Sequence, residues 1–415
     1  MPEVCGNYVV LNPYVWLKNA CVVFKERIED IYPLGSEVGE GLKNTVVTHG
    51  LASTHTHLGL YQIRLSVSEG LPLDEWVKLR AWPWEKFLRS NPQLTYYVAL
   101  NALKELLKSG VTLVADMHFN EFWVYKALID VGVKGDLSVA IMDGGVFENF
   151  EEGLEENLDL SRRASDPKVR VRLGPCTPRL LTPLQYKEVV ETAEELGLGI
   201  HTHIAEVLDD ELWLKSRYGM SLRDFAHYVG LGNVDTLAAH VVWGESLIEF
   251  LSSKGVKVSH PPRSNTLLGD GRAPIKSYLK NGVRVSLGVD VAPTYSLVDD
   301  MKSYLVLHYE GEGIPQTHEA FKIATVNGYQ DLGFGSGELT LKEPADVVVW
   351  ELPKDVSKVG LNPISSIVWG GAKVKEVYVN GVKVFEEGNL INVHVSADSI
   401  NAKIEEYLKD FKRED

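Results

Sequence analysis

Two histidines stand one residue apart in STHTHLGL, residues 53–60, and two more in LGIHTHIAE, residues 198–206, in a chain that has 12 histidines in all. In an extended segment residues i and i+2 point to the same face, so His55 and His57 can direct both imidazoles at one point. One metal ion is the simplest occupant of that point, although a surface pair or two hydrogen-bonded core imidazoles would show the same spacing. Further polar residues close other short apolar runs: His118, His240, His260 and Asp290. Taken singly, His118 or His260 reads as a core histidine. Taken together, His55, His57 and His203 with the carboxylate of Asp290 make a nitrogen-rich ligand set with one anion. That set suits one divalent ion per chain, Zn2+ first, with Fe2+ or Mn2+ also compatible. Glu206 follows His203 by three residues, where a carboxylate can reach an activated water without ligating the ion, the place of a general acid or base. A helix N-terminal carboxylate is the competing reading of Glu206. His240 can orient the attacking oxygen from the opposite side, and His201, a layer deeper than His203, fits a supporting role.

These residues need elements that bring them together. Short apolar runs end at His57, and others cover 111–119, 137–145, 169–176, 198–206, 236–243, 256–262 and 283–290. Amphipathic stretches such as TYYVALNALKELLKSG (95–110), PLQYKEVVETAEELG (183–197) and SLIEFLSSKG (246–255) lie between them. Eight strand-like runs alternating with helix-like ones predict a parallel sheet closed into a (β/α)8 TIM barrel, an α/β fold whose active site lies at the C-terminal ends of the strands. The candidate ligands fall at those ends. An open doubly wound sheet is the alternative, and no G-x-G-x-x-G fingerprint supports it.

Residues 1–49 read as short strands, and strand patterns return in ADVVVWELP (345–353) and VKEVYVNGVKVFEEG (374–388), the latter a hairpin around Asn380-Gly381. Neither set holds enough apolar residues for a core of its own. The expected organisation is a barrel over 50–335, a small discontinuous β-sandwich-like domain built from 1–49 and 336–395, and a C-terminal helix over 396–415 opened by a Ser or Asp cap.

The formal charge of -15, densest in ENFEEGLEENLD (148–159), argues against nucleic acid or an anionic membrane as partner. Three cysteines, Cys5, Cys21 and Cys176, are too few for a disulfide framework or a cysteine zinc site. The N-terminus lacks a basic segment followed by an apolar core, and no run of 18 apolar residues occurs. A cytoplasmic protein, with a homodimer as the default assembly, is the expectation.

The ordered segments HGLASTHTHLGL, LPLDEWVKLRAWPWE, HTHIAE, AAHVVW, SHPPRSNTLLGDGRAPI, VSLGVD, ATVNGYQDLG and ADVVVWE resemble the amidohydrolase superfamily nearly end to end. They are most similar to its branch of cytosine-deaminase-like, triazine hydrolase and adenosine-analogue deaminase enzymes. The resemblance implies a mononuclear site ligated by His55, His57, His203 and Asp290. It implies Glu206 as proton shuttle to a ring nitrogen, His240 in contact with the hydrolytic water, and Asp290 as acceptor of that water's proton. Binuclear members bridge two metals from the fourth strand, where VRVRLGPC offers no lysine at its C-terminal end.

LPLDEWVKLRAWPWE resembles the loop after the first strand in S-adenosylhomocysteine and methylthioadenosine deaminases, which implies that Glu85 binds ribose hydroxyls. A helix-start glutamate beside Pro83 is the plainer reading. Trp82 and Trp84 read as lid or core aromatics. The candidate substrate-binding set is Glu85, Trp82, His118, Cys176 and Arg179. Cys176 and Arg179 lie in PCTPR, where that group carries a histidine and a tyrosine, and GVDVAPTYS replaces the commoner GTDGAASN. The implied reaction is hydrolytic deamination of an amino-substituted heterocycle, in particular a 5′-modified adenosine, by attack of metal-bound hydroxide with release of ammonia. Guanine, cytosine or triazine hydrolysis stands as the alternative within enzymes, and a non-catalytic metal-binding barrel as the alternative outside them.

Overall fold

The structure is a computed structural model that describes residues 2–35, 42, 44–308, 313–356, 362–393 and 395–411. Its strands in chain order are β1 (Glu3–Asn12), β2 (Val15–Phe24), β3 (Ile28–Pro33), β4 (Thr45–His49), β5 (Leu51–Ser53), β6 (Val111–His118), β7 (Lys134–Ile141), β8 (Val169–Pro175), β9 (Gly199–Ile204), β10 (Thr236–His240), β11 (Lys257–His260), β12 (Arg284–Leu287), β13 (Val347–Glu351), β14 (Lys373–Val379), β15 (Val382–Glu386) and β16 (Asn389–Leu390).

Strands β5 to β12 follow one another in a single parallel sheet. Every residue of β6 and β7 is buried, as expected for strands covered on both faces. The sheet closes on itself: Thr54 donates its N–H to the Leu287 carbonyl at 2.9 Å, Asp290 donates to the His55 carbonyl at 2.9 Å, and Thr56 bridges Asp290. The result is a (β/α)8 barrel. Its helices include Pro92–Lys108 and Pro183–Leu196, the latter opened by a capping box between Thr182 and Gln185 and closed by Gly197 in the left-handed conformation. The stretch read as a helix over 246–255 begins with a 3-10 turn, Glu245–Leu247, and becomes α-helical over Ile248–Lys254.

The N- and C-terminal strands pair in one further sheet, in the order β16-β15-β14-β13-β4-β1-β2-β3. All its neighbours are antiparallel except β1 and β4. The hairpin turn between β14 and β15 is Asn380-Gly381, both at positive φ, 46° and 75°, which suits the twist of a two-residue hairpin. The two sheets meet at a buried ion pair, Lys134 Nζ to Asp346 Oδ2 at 2.7 Å, with Tyr329 donating to the same oxygen at 2.6 Å. The helix Ala397–Leu408 starts at Ser396, whose side chain accepts from the Ser399 N–H, and buries Ile400 and Ile404. The ring of Phe411 then packs on Trp84 and Phe87.

One expectation is corrected. The cysteines form no framework, yet Cys5 and Cys21 sit directly opposite each other on β1 and β2 and are joined by a disulfide. Their separation of 16 residues hides a cross-strand register that only the strand pairing discloses. Cys176 is free and buried.

Candidate active site

The side chains at the C-terminal ends of the barrel strands converge. The H-x-H pair lies just beyond β5, in the extended segment held by the bridge between Thr56 and Asp290. Asp290 Oδ1 is 3.1 Å from His57 Nε2 and 3.4 Å from His55 Nε2, and His203 Nε2 is 3.4 Å from His57 Nε2. Such separations are those between ligands of one small cation, for which bonds of about 2.1 Å place neighbouring donors roughly 3.4 Å apart.

Hydrogen bonds at the far nitrogen fix each ring. His57 Nδ1 donates to the Met117 carbonyl, and His203 Nδ1 donates to the Cys176 carbonyl at 2.8 Å. His240 Nδ1 donates to Asn265 Oδ1 at 2.7 Å. His55 Nδ1 donates to His201 Nε2 at 2.9 Å, His201 Nδ1 to Ser138 Oγ at 3.3 Å, and Ser138 in turn to the Asp116 carbonyl at 3.1 Å. These bonds leave Nε2 of His55, His57 and His203 turned toward one point with Asp290, and His240 Nε2 beside it, between Asp290 and Glu206. His55 Nε2 is buried and has no hydrogen-bond partner. A buried lone pair of this kind is costly unless something electrophilic meets it, so the donor set fits a divalent cation.

The electrostatics follow the geometry. Burial alone would raise Asp290, but hydrogen bonds from His55 and His57 hold its carboxyl well below the usual range. Burial depresses His55 to about 4, whereas contact with Asp290 overcomes burial at His57 and raises it to about 9. Burial pushes the Glu206 carboxyl above its ordinary value, opposed by His240. Glu206 Oε1 stands 3.5 Å from His240 Nε2, and Asp290 Oδ2 lies 3.8 Å from the same nitrogen. His240 and Asp290 both adopt positive φ, 69° and 55°, a strained conformation for residues with side chains and one that clusters at functional sites.

A cavity of about 670 Å3 opens over this centre. His57, His203, Glu206, His240 and Asp290 form part of its lining, and Trp82, Glu85, His118, Cys176 and Arg179 form more of it. Thus the cavity collects every residue of the candidate substrate-binding set. Glu85 is 7% exposed, and burial pushes its carboxyl up to about 7 against a small opposing pull from His57. His118 Nε2 lies 3.6 Å from Glu85 Oε1. Close backbone approach makes room for that ring: a Cβ on Gly59 would stand 2.4 Å from the His118 Cε1. Trp84 is buried under the cavity wall and donates to the Gly59 carbonyl at 2.8 Å.

Other placements differ from what residue type alone suggests. The guanidinium of Arg179 is engaged by Asp210 at 2.8 Å and by both oxygens of Asp74 at 2.7 and 2.9 Å. Cys176 supplies its carbonyl to both the ring and the backbone N–H of His203. His260 closes β11 yet pairs with His308 at 2.9 Å, away from the ligand set. Sequence reasoning passed over Asn265, Asp210, Asp74 and Asp270. Asn265 and Asp270 lie in SHPPRSNTLLGDGRAPI, one in the short helix Pro262–Leu267 and one just past it, too short a stretch for a period that points to the site.

Known proteins resemble this chain over most of its length. The model described as Amidohydrolase family matches residues 46–384. A 5-methylthioadenosine/S-adenosylhomocysteine deaminase of Dictyoglomus thermophilum is 33% identical over 361 residues, 84% of each chain. A 5′-deoxyadenosine deaminase of Methanopyrus kandleri is 32% identical over 381 residues, 88% of this chain and 87% of that one. The crystal structure of an adenosine deaminase from Xanthomonas campestris with bound zinc superposes with a TM-score of 0.88 over 99% of this chain and 98% of that chain, at 19% identity.

Proposed function

The chain belongs to the amidohydrolase family, and on that premise we propose that it is a hydrolytic deaminase of a 5′-modified adenosine. The observation that carries the reading is the convergence of Nε2 of His55, His57 and His203 with the Asp290 carboxylate at the floor of one cavity, flanked by His240 and Glu206. Relatives named as deaminases of methylthioadenosine, S-adenosylhomocysteine and 5′-deoxyadenosine support the substrate class.

His55, His57, His203 and Asp290 would hold one divalent cation, Zn2+ by donor chemistry and by its presence in the adenosine deaminase structure. When bound, the cation supplies Lewis acidity that brings a water's pKa near neutrality. The chain's own residues do the rest. His240 Nε2, its tautomer fixed by Asn265, accepts a hydrogen bond from the attacking water and aims it. Glu206, whose carboxyl burial raises above its ordinary value, gives a proton to the ring nitrogen beside the amino-bearing carbon. Asp290 takes the first proton of the water and passes it to the amino group, which leaves as ammonia, while Glu206 recovers its proton from the hydroxyl added at the same carbon. One water is consumed and one ammonia released.

Glu85, as a carboxylate in the cavity wall, accepts hydrogen bonds from ribose hydroxyls, and Trp82 borders the same space. A cavity of about 670 Å3 accommodates a nucleoside with a 5′ substituent. A different heterocycle, guanine, cytosine or a triazine, is the second reading, favoured by Cys176 and Arg179 standing where the adenosine-analogue group carries histidine and tyrosine.

Ammonia release from adenosine, methylthioadenosine, S-adenosylhomocysteine, 5′-deoxyadenosine, guanine, cytosine and aminotriazines tests the proposal. Turnover confined to the 5′-modified adenosines, weakened by Glu85→Gln, is expected. Turnover of a base or triazine alone would overturn the substrate class.

A further inference from the structure

Asp270 is a buried carboxyl that the reaction above does not use. It follows the short helix Pro262–Leu267, and its backbone is pinned on both sides: its N–H donates to the Asn265 carbonyl at 2.9 Å, and its carbonyl accepts the Trp243 indole N–H at 2.8 Å. The residue is 1% exposed, and neither carboxyl oxygen has a hydrogen-bond partner. His240 is equally buried, and its Nε2 also lacks a partner. One donor atom each from Glu206, His240 and Asp270 lie within 4.8 Å of one another. The edge between His240 Nε2 and Glu206 Oε1, 3.5 Å, matches the roughly 3.4 Å expected between ligands of one small cation.

The surroundings call for positive charge. Among the charges that act most strongly on Asp270 are three acids, Glu206, Asp290 and Asp210, opposed by Arg179, itself already held by two aspartates. An unpaired buried carboxylate is expensive, and here its neighbours add repulsion to desolvation. A proton or a metal ion would relieve it. Two carboxylates and an imidazole, all within reach of one point, favour Zn2+ or Mn2+.

We propose that Glu206, His240 and Asp270 form a second divalent-cation site beside the first, and that filling it inhibits the enzyme. None of the three belongs to the His55, His57, His203 and Asp290 set, so both ions can be held together. A second ion takes the Glu206 carboxylate and the His240 lone pair, the two groups that handle protons and aim the water. Only this inhibitory consequence rests on the deaminase reading; the binding site does not.

The experiment is a zinc titration of the whole protein by equilibrium dialysis with elemental analysis, repeated with Co2+ to follow its visible absorption. The wild type should take one equivalent tightly and a second at higher free metal, with turnover falling as the second binds. Asp270→Asn, which keeps the shape of the side chain, should retain the first equivalent and bind the second more than about 100-fold more weakly, losing inhibition by excess zinc. Asp270→Ser should behave alike, which separates loss of a ligand from a local packing fault. The proposal fails if the wild type saturates at one ion, as it would if a proton neutralises Asp270, or if either variant binds the second ion as the wild type does. A protein that deaminates nothing in the substrate panel would still report the second equivalent and its cobalt spectrum, so the two readings fail independently.

Discussion

Arg179 grips both carboxylate oxygens of Asp74, at 2.7 and 2.9 Å, across 105 positions of sequence. Asp74 belongs to the segment after the first barrel strand that walls the cavity, and Arg179 follows the fourth. The other side of Arg179 holds Asp210, whose second oxygen accepts the Glu206 backbone N–H at 2.9 Å. A single guanidinium thus ties the cavity wall to the proton-carrying residue.

Arg179→Lys should therefore raise KM about tenfold and lower kcat by a smaller factor, because a point charge cannot bind two carboxylates in a fixed fork. Asp74→Asn should reproduce the KM effect while leaving kcat closer to normal, since Asp210 keeps its partner. Steady-state kinetics on both variants checks this, and equal effects on kcat and KM in the two would contradict the link.

For Glu206→Gln the expectation is one bound ion, an unchanged cavity and turnover lower by roughly 100- to 10,000-fold, the usual share of a positioned acid or base. Metal analysis beside a turnover assay reads both quantities. Loss of the ion instead would make Glu206 a ligand.

His201 accepts from His55 Nδ1 and so sets which nitrogen of His55 faces the centre. Its replacement by Phe leaves that N–H buried and unpaired, a cost of about 1–3 kcal/mol. Zinc affinity should fall about 10- to 100-fold, as for other groups that support a metal ligand. His201→Gln, with a side-chain carbonyl that can accept, should recover part of it. Competition with a chromophoric chelator measures the affinities.

Glu85 gives a pH signature. Its carboxyl titrates near 7 in the folded protein, raised by burial from an unperturbed 4.5. The folded state therefore binds the proton more tightly than the unfolded chain does, and the stability this contributes is present below pH 4.5 and lost as pH rises through 7. If the ionised form accepts from ribose, KM falls as pH rises through the same range. Glu85→Gln should flatten the KM profile and melt at a higher temperature than the wild type at pH 8. A wild-type KM independent of pH between 6 and 8 would remove Glu85 from the binding set.

Gly59→Ala tests the close approach at His118. The added methyl group would stand 2.4 Å from the imidazole, and overpacking of this kind costs about 1–3 kcal/mol. A lower melting temperature and weaker substrate capture are expected, with bound metal unchanged because His118 is not among the ligands.

Much of this was legible because the barrel imposes periods on the chain. Strands β6 and β7 are buried on both faces and read as largely apolar runs, and a polar residue that ends such a run announces itself. The spacing of His55 and His57 is meaningful for the same reason. The remainder depends on pairings that no local period encodes. Arg179 read as a substrate contact because its residue type suits one, whereas Asp74 and Asp210 claim it from the first turns of two helices, Leu73–Trp76 and Leu208–Tyr218. Asn265 and Asp270 sit in and just past a helix too short for its spacing to carry direction, and the Cys5–Cys21 bond needs the β1–β2 register. His260 shows the converse: it stands at a strand end like its neighbours, and only its partner His308 shows that it turns elsewhere.

The barrel closes where Asp290 donates to His55, so the ligand set straddles the join between its first and last strands. A cation held there is a rivet through that join as well as a reagent. A nascent chain that stops short of residue 284 owns the three imidazole ligands but neither Asp290 nor the last strand to bring across. Loading of the ion thus marks the moment the ring is complete, and any strain that parts the first strand from the eighth must also pull the ion's ligands apart.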